Sequence, residues 1–195
     1  ELLKDSKKFS SIKKINEVAE YIKENALAYS IEYEDEKNID KINIRNATHC
    51  AMHKAIHNII KIYKSKYINN TDIINNNNEN FYLLIDGNDF KTYTYLNNKT
   101  NMLEQINHIL IEGGDNKYCS IAASSIIAKV ERDKYIKEMC EKYKKLDYYY
   151  GLVTNKGYGT AKHIHGINLY GISPWHRKTY GTCKDAKINN ENFYL

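Results

Sequence analysis

The chain has 195 residues, of which 27% are charged, and its 29 Lys and Arg against 24 Asp and Glu give a formal net charge of +5. That length suits one ordinary domain with a substantial core, and the mild basic excess favours a polyanionic partner without establishing one. Cys50, Cys119, Cys140 and Cys183 form no C-x-x-C pair, which speaks against a zinc ribbon or a disulfide framework and suits a reduced compartment, and no apolar run approaches the roughly 18 residues that span a bilayer.

In chain order, residues 10–25 read as a helix, with Ser10 or Ser11 as cap and Ile12, Ile15, Val18, Ala19 and Ile22 spaced to face a core. Leu27 to Tyr33 alternates like a strand. Asn46 to Tyr67 reads as a longer helix with an apolar stripe of Met52, Ala55, Ile56, Ile59 and Tyr63. The segment NNTDIINNNNEN at 69–80 has little to bury and reads as a disordered surface insertion. Phe81 to Ile85 predicts a strand leading to Asp86, and Ile106 to Glu112 predicts another leading to Asp115. From Cys119 to about Lys145 the spacing predicts a helix that buries Ile121, Ser125, Ala128, Ile136, Met139 and Tyr143. Gly151 to Gly159 is a turn-rich connection, and Thr160 to Leu169 is a short helix capped by Thr160 and stopped at Gly171. Residues 181–195 carry no pattern and are expected to form a flexible tail after a domain over residues 1–180. Helix following strand repeatedly predicts the α/β class.

Asp86 in LLIDGN and Asp115 in GGDNK are the most informative acids. Taken alone, Asp86 is ordinary turn punctuation, and Asp115 merely suits the positive end of the helix that follows it. Two carboxylates delivered to neighbouring element ends are also what a hard divalent cation requires, and oxygen donors without Cys or His favour Mg²⁺ or Mn²⁺ over zinc. Tyr158 stands between two glycines in KGYGT, free either to stack on a sugar or to cover the core. Lys7, Lys129, Lys156 and Arg177 are candidate phosphate contacts. Ser125 joins them if its helix face is open, although a small residue on a packed face explains it equally. Lys129 has Asp133 one helical turn on, and Arg132 with Asp133 reads as an ion-pair or helix-packing device. His49, His53 and His57 share one helix face, but a zinc site needs a further ligand and its supporting shell, so the plain reading is partly exposed neutral imidazoles.

Seven blocks in order, DSKKFS at 5–10, IDKINIRNATHCAM at 39–52, LLIDGN at 83–88, GGD at 113–115, SIAASSIIAKVERD at 120–133, NKGYGTAKH at 155–163 and YGISPWHRKTY at 170–180, resemble ribonuclease HII, the type 2 ribonuclease H family, in its bacterial-type branch. The resemblance implies a ribonuclease H-like mixed sheet flanked by helices. It implies a metal-dependent endonuclease that hydrolyses the RNA strand of RNA–DNA hybrids and nicks duplex DNA 5′ of embedded ribonucleotides, leaving 3′-hydroxyl and 5′-phosphate ends. By the same resemblance, Asp86 and Asp115 are catalytic metal ligands for Mg²⁺ or Mn²⁺, two ions in the complete enzyme. Tyr158 packs at the ribonucleotide–deoxyribonucleotide junction, and Lys7, Ser125, Lys129, Lys156 and Arg177 lie along the nucleic acid. His176 beside Arg177 takes a capping or hydrogen-bonding role. The expected partner is an RNA–DNA hybrid or a ribonucleotide-containing duplex, with no membrane, and the expected protein is a monomer in the cytoplasm, or in an organelle if a transit peptide precedes Glu1. Family members open with a strand ending in Asp-Glu followed by Gly-Arg-Gly. Nothing from Glu1 onward matches that segment, so the reading is an N-terminally incomplete chain without the first strands and half of the metal site, inactive alone. The alternative is an inactive nucleic-acid-binding relative.

Overall fold

The computed structural model describes residues 6, 9–68, 81–97 and 100–193. Lys7 and the expected insertion at 69–80 lie outside the described residues. The chain divides into two compact units, Glu1–Glu32 with His49–Val130, and Tyr33–Thr48 with Glu131–Leu195.

In the first unit, α1 (Ile12–Asn25) begins where Ser11 accepts a hydrogen bond from the Lys14 N–H, which satisfies one of the donors that a helix start leaves open. Its Ile15, Val18, Ala19 and Ile22 pack with Ile126 and Ile127 of α3 (Cys119–Lys142). Ile12, expected in that core, is 76% exposed, because the first residue of the helix lies off the buried stripe. On α3, Ala122, Ile126 and Ile127 are buried in addition to Ile121, whereas Ala128 points outward.

Leu27 to Tyr33 belongs to no helix or strand. The alternation is real and its phase is outward, with Leu27, Tyr29 and Ile31 exposed. A strand is defined by a partner's backbone, and no ladder with this segment forms among the described residues.

The helix expected from Asn46 starts earlier, as α2 (Glu36–Tyr63), and is broken at Asn43, whose φ of 66° is left-handed. The Asn43 side chain accepts from the Asn46 N–H, so the break also caps the longer, C-terminal part of the helix. Strand β1 (Tyr82–Asp86) pairs in parallel with β4 (Asn107–Ile111), which brings Asp86 opposite Ile111. Between them β2 (Thr94–Asn97) and β3 (Met102–Gln105) form an antiparallel pair absent from the sequence reading.

In the second unit the end of α3 is followed by α4 (Lys144–Tyr150), α5 (Leu152–Asn155) and α6 (Ala161–Tyr170). Their core gathers Ile136, Cys140, Leu146, Tyr150, Ile167 and Phe193. Gly151, at φ 66°, separates α4 from α5, a short helix within the connection expected to be turn-rich. Thr160 caps α6 by accepting from the His163 N–H, and Gly171 ends it, as the sequence predicts. The C-terminal segment, featureless in sequence, is fastened through its described residues up to Phe193. Lys187 O and the Asn189 N–H bond the backbone of Ile172 at 2.7 and 2.8 Å, Lys145 and Tyr149 reach Glu191, and Phe193 is 3% exposed.

Helix α6 crosses the end of α4 so closely that a Cβ on Gly166 would lie 2.2 Å from the Tyr149 carbonyl oxygen. Backbone cannot yield as a side-chain tip can. Gly166→Ala should therefore cost about 2–3 kcal/mol in urea unfolding, against less than about 0.5 kcal/mol for the exposed Thr154→Ala.

Candidate active site and nucleic-acid interface

The parallel pairing of β1 with β4 delivers two chain segments to one end of the sheet. Asp86 closes β1, and after β4 the chain turns through Gly113, at φ 62°, into a single 3-10 turn, Gly114–Asn116, that contains Asp115. The Gly87 N–H donates to the Ile111 carbonyl at 3.0 Å, so the ladder runs on past Asp86. The Gly114 N–H then donates to Asp86 Oδ1 at 2.8 Å. A Cβ on Gly114 would meet Ile121 Cδ1 at 2.6 Å and Asp86 Oδ1 at 3.2 Å, so glycine is what lets the turn come this near.

The exposed Asp86 carboxylate keeps its other oxygen uncommitted by this bond. Asp115 is half-buried, with Oδ1 accepting from the Asn116 amide at 2.9 Å. The donors are all oxygen, and one or two carboxylates supplemented by water and substrate phosphate are the usual protein share of a Mg²⁺ site. The residues thus fit a hard cation in kind, although no group of three or more His, Cys, Asp or Glu that could hold a metal occurs among the described residues.

Ser125 Oγ lies 3.0 Å from Ser6 Oγ, which gives that small residue a specific partner beside the α1–α3 packing. Lys129 is half-buried one turn further along α3. The three histidines of α2 do not converge on a common point. His49 lies 3.5 Å from Asp89, His53 Nε2 2.6 Å from the Lys91 carbonyl, and His57 Nδ1 3.1 Å from the Tyr93 hydroxyl. With Phe90 edge-on to His49 and His53, they fasten the segment between β1 and β2 to the helix.

In the second unit the Tyr158 ring is 66% exposed on the loop between α5 and α6. Arg132, read from sequence as an ion-pair device, does lie 3.7 Å from Asp133, and it also holds this loop. Its guanidinium donates to the Lys156 carbonyl at 2.6 Å and lies 5.2 Å from the centre of the Tyr158 ring. A helix residue and a turn residue more than twenty positions apart leave no periodic trace, so sequence could not reveal the contact. Lys156 is half-buried with left-handed φ of 52°, and Arg177 stacks over Tyr180 at 4.0 Å. Asp40 accepts from the Lys178 and Thr179 N–H groups at 2.8 and 3.0 Å and so organises the HRKTY turn.

Below the Tyr158 loop, the buried His163 and His176 face each other, Nε2 to Nε2, at 2.9 Å. Burial, and the facing His163, push the His176 pKa down to about 4.

The sequence pattern of the family Ribonuclease HII matches residues 2–183. The chain is 36% identical to the ribonuclease HII of Phocaeicola vulgatus over 180 residues, which are 92% of this chain and 74% of that protein. It is 35% identical over 188 residues to the Bacteroides fragilis (strain ATCC 25285) enzyme, covering 96% and 78% of the two chains. It is 36% identical over 187 residues to the Pelagibacter ubique enzyme, covering 94% and 81%. The chain belongs to the ribonuclease HII family, and its helices and small sheets are consistent with the ribonuclease H-like α/β fold. Among the described residues no helix is long and apolar enough to cross a membrane.

A histidine whose folded pKa is about 4 against an ordinary 6.5 adds stability that is complete above 6.5 and is lost as pH falls through 4, since the unfolded chain binds the proton first. His176 should thus cost the protein about 3 kcal/mol of stability between pH 7 and 4. The check is the difference between wild type and His176→Gln in urea unfolding across that range, with NMR showing the His176 ring neutral at pH 6.

Proposed function

We propose that this ribonuclease HII family member is a divalent-metal-dependent endonuclease that hydrolyses the RNA strand of RNA–DNA hybrids and nicks duplex DNA 5′ of an embedded ribonucleotide, leaving 3′-hydroxyl and 5′-phosphate ends. The observation that carries it is the Gly114 N–H bond to Asp86 Oδ1, which ties one acid at a strand end to the turn containing the other. A bound Mg²⁺ or Mn²⁺ supplies Lewis acidity to the phosphodiester, with two ions in the complete site.

The chain's own part is to hold and orient. Asp86, with one oxygen fixed by backbone, presents the other as a ligand whose direction costs little ordering on binding. Asp115 follows Gly114 directly and adds a second negative oxygen group. Acids gathered at one site repel until a cation neutralises them, so metal affinity depends on both. In the second unit Tyr158 offers an exposed ring beside a sugar, where the ribose 2′-OH is what distinguishes RNA from DNA. Lys156 and Arg177, with Lys129, Ser125 and Lys7 in the first unit, serve phosphate oxygens, which position a strand without reading its sequence.

The 195 residues contain no Asp-Glu followed by Gly-Arg-Gly. Two carboxylates should bind metal weakly, so the chain by itself is expected not to cleave, and a form extended at its N-terminus by the family's Asp-Glu-x-Gly-Arg-Gly strand is expected to cleave. The assay is a duplex bearing one ribonucleotide with Mg²⁺ or Mn²⁺, scoring the nick and its end groups. In the extended form Asp86→Asn or Asp115→Asn should lower the rate by at least about 10³-fold, the scale of losing charge stabilisation at the reacting phosphate. No cleavage by the extended form would favour an inactive nucleic-acid-binding relative, and cleavage by the unextended chain would mean that other acids complete the site.

Tyr158→Ala should reduce the preference for a ribonucleotide-containing duplex over an all-deoxy duplex by about tenfold, the worth of one stacked base or sugar contact. Competition binding in the same buffer measures it, and an unchanged preference would remove Tyr158 from the recognition site.

A further inference from the structure

The ring of Tyr158 stands in solvent, so packing against a core cannot set its direction. Apart from the Arg132 guanidinium 5.2 Å from the ring centre, its aim comes from what holds the backbone beneath it. The Tyr158 carbonyl accepts two hydrogen bonds, from the Thr160 N–H at 2.8 Å and from His163 Nδ1 at 2.9 Å. The second begins a relay: His163 Nε2 meets His176 Nε2 at 2.9 Å, and His176 Nδ1 accepts the Ser173 N–H at 3.1 Å with Ser173 Oγ at 2.7 Å.

A backbone N–H can only donate, so His176 Nδ1 carries no proton and the neutral ring must carry it on Nε2. That proton points at His163 Nε2, which must accept. His163 is then protonated on Nδ1, where it donates to the Tyr158 carbonyl. Each hydrogen of the two neutral rings is fixed by a single backbone amide some fifteen residues from Tyr158. The wholly buried Tyr150 ring lies against both imidazoles, 5.9 and 4.6 Å between centres, and keeps them from swinging away.

Stability alone does not call for such a pair, because apolar groups of the same shape can replace a buried hydrogen-bonded pair at little cost. What an apolar pair could not supply is a donor under the Tyr158 carbonyl. We propose that His163 and His176, oriented by Ser173, are positioning residues that hold the Tyr158 backbone and so set the discrimination between ribose and deoxyribose. This rests on the reading of Tyr158 as the sugar contact.

The test is a double-mutant cycle on the full chain, reading affinity for a duplex with one ribonucleotide and for its all-deoxy counterpart by fluorescence anisotropy. His163→Phe keeps the ring volume and removes the donor. It should cut the ribonucleotide preference about three- to tenfold, the usual coupling of contacting residues, while all-deoxy affinity stays within about twofold. In a Tyr158→Ala background it should cut nothing further. Ser173→Ala, milder for folding, should lower the preference in the same sense, and nitrogen-resolved NMR should show protons on His163 Nδ1 and His176 Nε2. A folded His163→Phe with intact preference overturns the proposal. So does an equal loss with and without Tyr158, or the opposite tautomers. If the reading of Tyr158 is what fails, Tyr158→Ala alone leaves the ribonucleotide preference unchanged before any histidine is altered, which separates the two failures.

Discussion

A polar group withdrawn from water must find a partner inside the protein or destabilise the fold by a few kcal/mol, and the second unit is organised by that constraint. Tyr150 is fully buried and gives its hydroxyl proton to the Gly171 carbonyl at 2.9 Å. The Asn155 amide donates to the Tyr150 carbonyl at 2.6 Å and accepts from the Gly157 N–H at 2.8 Å. Those bonds tie the end of α4 to the loop that carries Lys156 and Tyr158. His163, His176 and Ser173 close the same loop from the side of α6. The loop is therefore held by satisfied hydrogen bonds rather than by core packing, with the Tyr158 ring exposed beside Arg132.

The first unit ends two neighbouring strands on the same side, each leading to an acid, Asp86 at the end of β1 and Asp115 in the turn after β4. Parallel pairing does it, because β1 and β4 end in the same direction and each leads into a glycine-containing turn. Gly87 and Gly113 both have positive φ, at 96° and 62°, so each chain can turn immediately after its strand. The helix start that comes next, at Cys119, favours negative charge nearby. In the proposed function the acids of the first unit serve the metal, and the aromatic and basic groups of the second unit serve the nucleic acid.

Much of this was legible in the residues. Helix α1, its Ser11 cap, the two strands leading to Asp86 and Asp115, and α6 with its Thr160 cap and Gly171 stop all derive from local signals, and the structure forms each. Leu27 to Tyr33 shows where such signals end. Its alternation shows in the exposure of Leu27, Tyr29 and Ile31, but pairing is a property of two segments. The break at Asn43 was hidden because isoleucines continue on both sides of it, at Ile42 and Ile44. The β2–β3 pair was hidden by short strands and a polar junction. The C-terminal segment looked featureless because its contacts, through Ile172, Lys145, Tyr149 and Trp175, are single and irregularly spaced.

The sequence by itself determined the family and the α/β class, because the family blocks and the helix and strand periods are encoded by residues adjacent in the chain, whereas the exposure of Tyr158 was settled only by the structure. The tertiary structure alone decided that Gly114 grips Asp86, that Arg132 lies against Tyr158, that the three histidines of α2 go to three different partners, and that His163 and His176 form a buried relay. The physical reason is common to all four. A hydrogen bond or ring contact depends on distances of a few ångströms between residues far apart in the chain, and those distances exist only after the apolar faces have packed.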